Sequence, residues 1–152
     1  MEPISQRTDD DCTICAVAMV MGPPYNYERV AEDRKKYPLK NEDGQALPWW
    51  KDYLRDEGFE VEYATLNDLK RFSDFESLPE GSRALLVYQI PHMKMGHIVA
   101  IDRDGVIDPQ VSPLGEDARY QSAEEFREIF VIEGWRLYDR GYWLIRKKEK
   151  SE

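Results

Sequence analysis

Residues 11–24 read DCTICAVAMVMGPP, and this stretch decides the fold of the N-terminal part of the chain. Its middle, residues 12–21, is almost wholly apolar, acidic residues precede it, and Gly22-Pro23-Pro24 follows it. Aspartate is favoured at the start of a helix, whereas glycine and proline end one. The sequence therefore predicts a buried helix over residues 12–21 that begins at Cys12.

The rest of the chain divides into a helical first half and a strand-rich second half. Periodic or alternating apolar residues, together with caps and turns, mark the elements. The predicted helices are residues 27–36, 48–57, 65–75 and 122–130, and the predicted strands are 59–64, 83–90, 97–101, 106–108, 135–138 and 142–146. The last two strands are expected to form a hairpin. Helices first and antiparallel strands afterwards indicate an α+β fold, with the N-terminal helical part packed on the sheet.

Composition limits the class of protein. The 152 residues carry 30 acidic against 21 basic side chains, a net charge of −9, which disfavours nucleic acid as a partner. The sequence shows neither an apolar stretch long enough to span a membrane nor a secretory signal, so we expect a cytoplasmic protein without a membrane partner. No linker or repeat interrupts the chain, which predicts a single domain over residues 1–152. Two cysteines three positions apart make no disulfide scaffold.

Cys12 is the candidate nucleophile. A thiol at the first residue of a helix feels the partial positive charge of unpaired backbone N–H groups, which favours its thiolate. Gln6 stands six residues upstream. Its side-chain amide could donate a hydrogen bond to an oxyanion that forms beside Cys12, so nucleophile and oxyanion donor would share one loop.

His97 is the candidate base, and Asp108 is placed to orient its imidazole. The two residues fall on successive predicted strands. If a four-residue loop joins these strands, Ile101 opposes Val106 and Val99 opposes Asp108. His97 and Asp108 would then share a face and lie diagonal to each other, within reach of a side-chain contact.

In order and spacing, these residues resemble the papain-like cysteine peptidases, especially the bacteriocin-leader-processing branch. The resemblance rests on short motifs, which are Gln6, Asp11-Cys12 opening an apolar helix, Gly96-His97-Ile98-Val99 and Ile107-Asp108-Pro109. It implies a papain-like fold in which Cys12 is the nucleophile, His97 the general base and acid, Asp108 its orienting partner and Gln6 the oxyanion donor. That chemistry needs no metal or organic cofactor.

Two features of the sequence work against this interpretation. The family usually carries glycine and proline after the nucleophile, whereas this chain has Thr13 and Ile14. A carboxylate about 4 Å from the thiol would oppose the thiolate by about 1 kcal/mol in water and about 4 kcal/mol at an effective dielectric constant near 20. We therefore expect Asp9 and Asp10 to point into solvent and Asp11 to cap the helix through its backbone.

The sequence predicts a thiol hydrolase that cleaves a peptide, amide or isopeptide bond in a peptide or protein substrate. The acidic balance favours a basic one. A peptide-binding module of the same fold without turnover, and a Cys-x-x-Cys redox protein built on Cys12 and Cys15, stay open as alternatives. A zinc site is disfavoured because the histidines lack a fixed spacing relative to the cysteines. Cys15 is expected to be a core residue, and His92 is a substitute candidate for the base.

Overall fold

Three helices and seven strands make up the part of the chain that the computed structural model describes. The described residues are 1–8, 11–44, 48–65, 78–89, 96–109, 118–122, 124–126, 136–137 and 141–148. The helices are α1 (Cys12–Met21), α2 (Tyr27–Arg34) and α3 (Trp49–Asp56). The strands are β1 (Phe59–Thr65), β2 (Ser82–Gln89), β3 (Gly96–Asp102), β4 (Gly105–Ile107), β5 (Tyr120–Gln121), β6 (Arg136–Leu137) and β7 (Gly141–Lys147).

All strand pairs in the sheet are antiparallel. The order is β1-β7-β2-β3-β4-β5, and β6 also pairs with β2. Helix α1 packs against β3 and β2, and α3 packs against β1. The helices precede the sheet in the chain and cover it, so the predicted α+β architecture is confirmed.

Helix α1 has the predicted bounds and lies in the core. Nine of its ten residues are buried, because almost every side chain is apolar. Its C-terminal end is held by Arg83, whose Nη1 donates to the carbonyl oxygen of Met19 at 2.7 Å. A cation is favourable at this end of a helix, where carbonyl groups lack intrahelical partners. Arg83 therefore anchors α1 to the sheet.

The other two helices begin and end close to the predicted residues. The Asn26 side chain accepts from the backbone N–H of Arg29 at 2.9 Å and caps α2. Pro48 precedes α3, and Gly58 follows it with a φ of 92°, a left-handed conformation that favours glycine. Local capping residues thus set these boundaries.

The prediction of a final hairpin over residues 135–146 is wrong. Leu137 of β6 pairs with Tyr88, and Trp143 of β7 pairs with Leu85, so both strands run antiparallel to β2 and in the same direction as each other. Tyr88 also pairs with His97, so β6 lies on the β7 side of β2. Residues 136–137 and 141–147 are two segments along one edge of β2. The sequence Asp-Arg-Gly at residues 139–141 has turn chemistry, and this local signal favoured the hairpin interpretation.

The predicted helix over residues 65–75 falls almost wholly outside the described residues, as does the end of the one over 122–130. The beginning of the latter is described, and residues 124–126 are helical. The backbone N–H of Glu125 donates to Ser122 Oγ at 3.1 Å, as expected of a capping serine.

Candidate active site

Cys12 is the first residue of α1 and is 9% exposed. The preceding residue, Asp11, starts the helix through its backbone, since its carbonyl oxygen accepts from the N–H of Cys15 at 3.2 Å. The Asp11 side chain makes no capping hydrogen bond to the helix. The expected backbone cap is therefore found, and the thiol lies at the positive end of the helix dipole.

His97 lies near the start of β3 and is 6% exposed. Its Nε2 lies 2.5 Å from Oδ1 of Asp108, which follows β4. The hairpin register explains this contact, because Ile101 pairs with Val106 as predicted. Asp102 also pairs with Gly105, so the loop contains two residues rather than the expected four, with no change of register.

The Cys12 side chain interacts with the His97 ring and contributes to its raised pKa. Nε2 faces Asp108, so Nδ1 is the ring nitrogen left for the thiol. The structure thus brings together Cys12, His97 and Asp108 in one interacting series. These are three of the four site residues that the sequence predicts.

The surroundings of the His97 imidazole favour its protonated form. Burial opposes the charged ring, but the hydrogen bonds with Asp108 and Cys12 outweigh it and raise the pKa of His97 to about 9. At neutral pH the ring therefore carries a proton. An imidazolium beside a thiol at a helix N-terminus is the environment that stabilises a thiolate.

Cys15 lies in a different environment. It is fully buried, and its Sγ lies 3.6 Å from the carbonyl oxygen of Ser5, to which the thiol donates. Burial, followed by the charge of Asp11, raises the pKa of Cys15 to about 12. Both cysteines are free thiols. Cys15 is thus a core residue, as expected.

Gln6 is tied to the segment that follows Asp108. Its backbone N–H donates to the carbonyl oxygen of Pro109 at 2.7 Å. Its side-chain Nε2 donates to the carbonyl oxygen of Thr8 at 3.0 Å. The candidate oxyanion donor thus lies in a turn held between Pro109 and the start of α1, with its amide Nε2 directed at a carbonyl of that turn.

Asp11 is the residue whose importance the sequence reasoning missed. It is 3% exposed, and its Oδ2 accepts from Arg7 N at 2.9 Å, Thr8 N at 3.2 Å and Tyr27 Oη at 2.8 Å. Burial opposes its charge, but these bonds outweigh burial and lower the pKa of Asp11. The signal in the sequence was an aspartate at a helix start, where capping side chains usually accept from N–H groups that follow rather than precede them.

A cavity of about 660 Å³ borders the Gln6 turn on the side of α2. Its wall includes Gln6, Arg7 and Met19, together with the two tyrosines that flank the start of α2, Tyr25 and Tyr27.

Several predictions concern residues outside the described part of the chain, namely the orientations of Asp9 and Asp10 and the role of His92. Thr13 is half-buried and Ile14 is in the core. Within the described ranges, no three His, Cys, Asp or Glu side chains are grouped as metal ligands. None of the helices in those ranges has the length and apolar character to span a membrane.

Comparisons with known proteins support the fold. No protein-family model matches the chain, and no curated protein sequence matches it. Among solved structures it is similar to the peptidase domain of Streptococcus ComA, a bi-functional ABC transporter involved in a quorum sensing pathway. The TM-score is 0.54 at 16% sequence identity, and the match covers 97% of this chain and 98% of that chain. The chain therefore has the fold of a peptidase domain.

Proposed function

We propose that this chain is a papain-like thiol hydrolase that cleaves a peptide, amide or isopeptide bond. The observation that carries the proposal is the series Cys12–His97–Asp108, in which His97 bonds Asp108 and interacts with the thiol at the first residue of a buried helix. A nucleophile, a base and a group that orients the base, each within hydrogen-bond reach of the next, are the requirement for nucleophilic acyl transfer.

The reaction follows from these positions. In the proposed resting state the thiol proton is held on Nδ1 of His97, and the Cys12 thiolate attacks the substrate carbonyl carbon to form a tetrahedral oxyanion. The backbone N–H of Cys12 and the Gln6 amide donate to that oxyanion. It collapses to a thioester while His97 gives the proton to the leaving amine. A water molecule then gives a proton to His97 and attacks the thioester, which releases the acid and restores the thiolate and the imidazolium.

Asp108 has an orienting role in this proposal. Its carboxylate accepts a hydrogen bond from Nε2–H of His97 and leaves Nδ1 to exchange a proton with the sulfur and the leaving amine. The same bond stabilises the imidazolium, which acts as the acid in the first half of the reaction. This assignment is consistent with the raised pKa of His97.

The substrate class is a peptide or protein. With a net charge of −9, the chain favours a basic substrate through long-range steering, and salt would weaken that preference. The cavity beside the Gln6 turn supplies room for part of an extended chain.

Alkylation by iodoacetamide and hydrolysis of p-nitrophenyl acetate at pH 7 test the proposal. We expect both reactions to be lost in Cys12→Ala and to fall on the order of 10²-fold in His97→Ala, the usual contribution of a general base. Cys15→Ala is the matched control for the thiol and His92→Ala for the histidine, and both variants should react like the wild type.

Two results would contradict the proposal and identify an alternative. Equal dependence of both reactions on Cys12 and Cys15 would indicate that the two thiols act together, as in a redox protein. A native wild-type chain that is neither alkylated nor active on the ester would indicate a peptide-binding module with the same fold.

A further inference from the structure

We propose that Asp11 is a positioning residue that holds the Gln6 turn in place for acylation of Cys12. The inference rests on the proposed function, because a positioned oxyanion donor matters only if a tetrahedral intermediate forms. Asp11 itself touches neither the thiol nor the imidazole in this proposal. It acts through the turn.

The direction of the Asp11 carboxylate is the first observation. Asp11 occupies the cap position of α1, yet its side chain makes no bond to the helix. Its Oδ2 instead accepts from the backbone N–H groups of Arg7 and Thr8, the two residues that follow Gln6. Charged acceptors make stronger hydrogen bonds than neutral ones, so this carboxylate fixes the backbone on the C-terminal side of Gln6.

The second observation is that Asp11 is itself held from α2. The Tyr27 hydroxyl donates to the same Oδ2 at 2.8 Å. The Arg7 guanidinium stacks over the Tyr27 ring at 4.0 Å from its centroid and pairs with Glu28 at 2.5 Å. The turn, the cap residue and the start of α2 are therefore one connected structure, with the carboxylate buried at its centre.

Gln6 is thereby fixed on both sides. Its own N–H donates to the carbonyl oxygen of Pro109, next to the residue that orients His97. The side-chain amide carries two protons, one of which goes to the carbonyl oxygen of Thr8. The second proton is the one that the forming oxyanion accepts in this proposal.

The arrangement also explains why an aspartate next to the nucleophile is compatible with a thiolate. Two backbone N–H groups and a phenol stabilise its charge, and the carboxylate is directed at the preceding turn rather than at the first turn of the helix. Asp11, whose charge was expected to oppose the thiolate, thus contributes to the site.

Two reactions of Cys12 separate positioning from nucleophilicity. Acylation by p-nitrophenyl acetate, followed as the burst of p-nitrophenolate, passes through an oxyanion, whereas alkylation by iodoacetamide does not. In Asp11→Ala we expect acylation to fall about 10²-fold, as on removal of one oxyanion donor, with alkylation within about threefold of wild type. Asp11→Asn should restore most of the acylation, because its amide oxygen can accept from Arg7 and Thr8.

A double-mutant cycle with Gln6 distinguishes a positioning role of Asp11 from a merely structural one. If Asp11 acts through Gln6, then Gln6→Ala/Asp11→Ala acylates no more slowly than Gln6→Ala. Tyr27→Phe, which removes one of the three bonds to Oδ2, should lower acylation about fivefold. Tyr53→Phe is its matched control, since that phenol donates to Asp33 at 2.7 Å between α2 and α3, and it should acylate like the wild type.

Three results would overturn the inference while leaving the proposed function intact. They are unchanged acylation in Asp11→Ala when Gln6→Ala is slow, losses that multiply in the double variant, and a fall in alkylation equal to the fall in acylation. If Asp11→Ala does not fold, Tyr27→Phe decides, because equal rates in Tyr27→Phe and Tyr53→Phe exclude the role. Absence of any Cys12-dependent reaction in the wild type would overturn the proposed function, and this inference with it.

Discussion

Two cysteines lie three residues apart on α1, and both are buried free thiols whose surroundings differ. Cys12 lies at the positive end of the helix dipole and interacts with the His97 ring. Cys15 lies one turn further on, fully buried, with its thiol donating to the carbonyl of Ser5 and its pKa raised to about 12. Three residues along one helix are enough to separate a candidate nucleophile from a core residue. The two thiols therefore differ in their surroundings rather than in residue type.

The largest expected effect is the difference in alkylation between the two thiols in the native protein. With a pKa of about 12, only about 10⁻⁵ of Cys15 is thiolate at pH 7. We expect Cys12→Ala, which retains Cys15, to react with iodoacetamide on the order of 10³-fold more slowly than Cys15→Ala. In concentrated urea the two variants should react at similar rates. A ratio of the two alkylation rates near one in the native protein would contradict the proposed difference between the thiols.

The second prediction is a pH dependence of the free energy of unfolding, which arises from His97 beside the first turn of α1. The pKa of His97 is raised from 6.5 to about 9, so the folded state holds its proton more tightly than the unfolded chain. The resulting stability, roughly 3 kcal/mol, is fully present below pH 6.5 and is lost as pH rises to about 9. Urea unfolding of wild type and His97→Ala at pH 6 and pH 9.5 measures it. His92→Ala is the control, and parallel curves for wild type and His97→Ala would contradict the expectation.

The third prediction concerns the C-terminal end of α1, which lies away from both cysteines, so it should affect stability without changing the difference between the two thiols. Arg83→Met keeps the apolar stem but removes the bonds to the carbonyls of Met19 and Val20, which should lower the free energy of unfolding by about 2 kcal/mol. The native ratio of Cys12 to Cys15 alkylation should not change. Arg103→Met, which removes bonds to the carbonyl of Leu78, is the matched control away from the helix. A selective loss of Cys12 reactivity in Arg83→Met would sharpen the comparison by linking the helix position to the site.

The smallest effect is the contribution of the second turn to packing. Cys15→Ala removes a buried sulfur atom and leaves a small space in the core, at a cost of about 1 kcal/mol in stability. Acylation of Cys12 by p-nitrophenyl acetate should stay within about twofold of wild type. Thermal unfolding together with the burst assay checks both statements, and a large loss of acylation would assign Cys15 a role in the site.

Local sequence was sufficient for the elements that local interactions determine. The apolar run and its flanking residues predicted the bounds of α1, and the register of the hairpin between β3 and β4 predicted the contact of His97 with Asp108. Helical periodicity and hairpin register are short-range properties, so one sequence is enough to read them.

Contacts between residues far apart in the sequence could not be predicted in this way. Pairing of β6 with β2 depends on a strand about 50 residues away, and the turn-like residues between β6 and β7 favoured the nearer partner. The Asp11 side chain could accept from the backbone N–H groups that follow it or from those that precede it. Contacts with Tyr27 and with the turn after Gln6 direct it to the preceding groups, and such tertiary contacts cannot be predicted from local sequence.

The separation of Cys12 from His97 along the chain has a consequence for biosynthesis. The two residues are 85 positions apart, and the ribosome adds about 5–20 residues per second, so roughly 4–17 seconds pass between their synthesis. During that interval the nascent N-terminal helix has a thiol but neither its imidazole nor the Pro109 carbonyl that holds the Gln6 turn. In the proposed mechanism, Cys12 therefore gains its base only when β3 docks in the sheet, and until then the nascent chain carries no activated nucleophile.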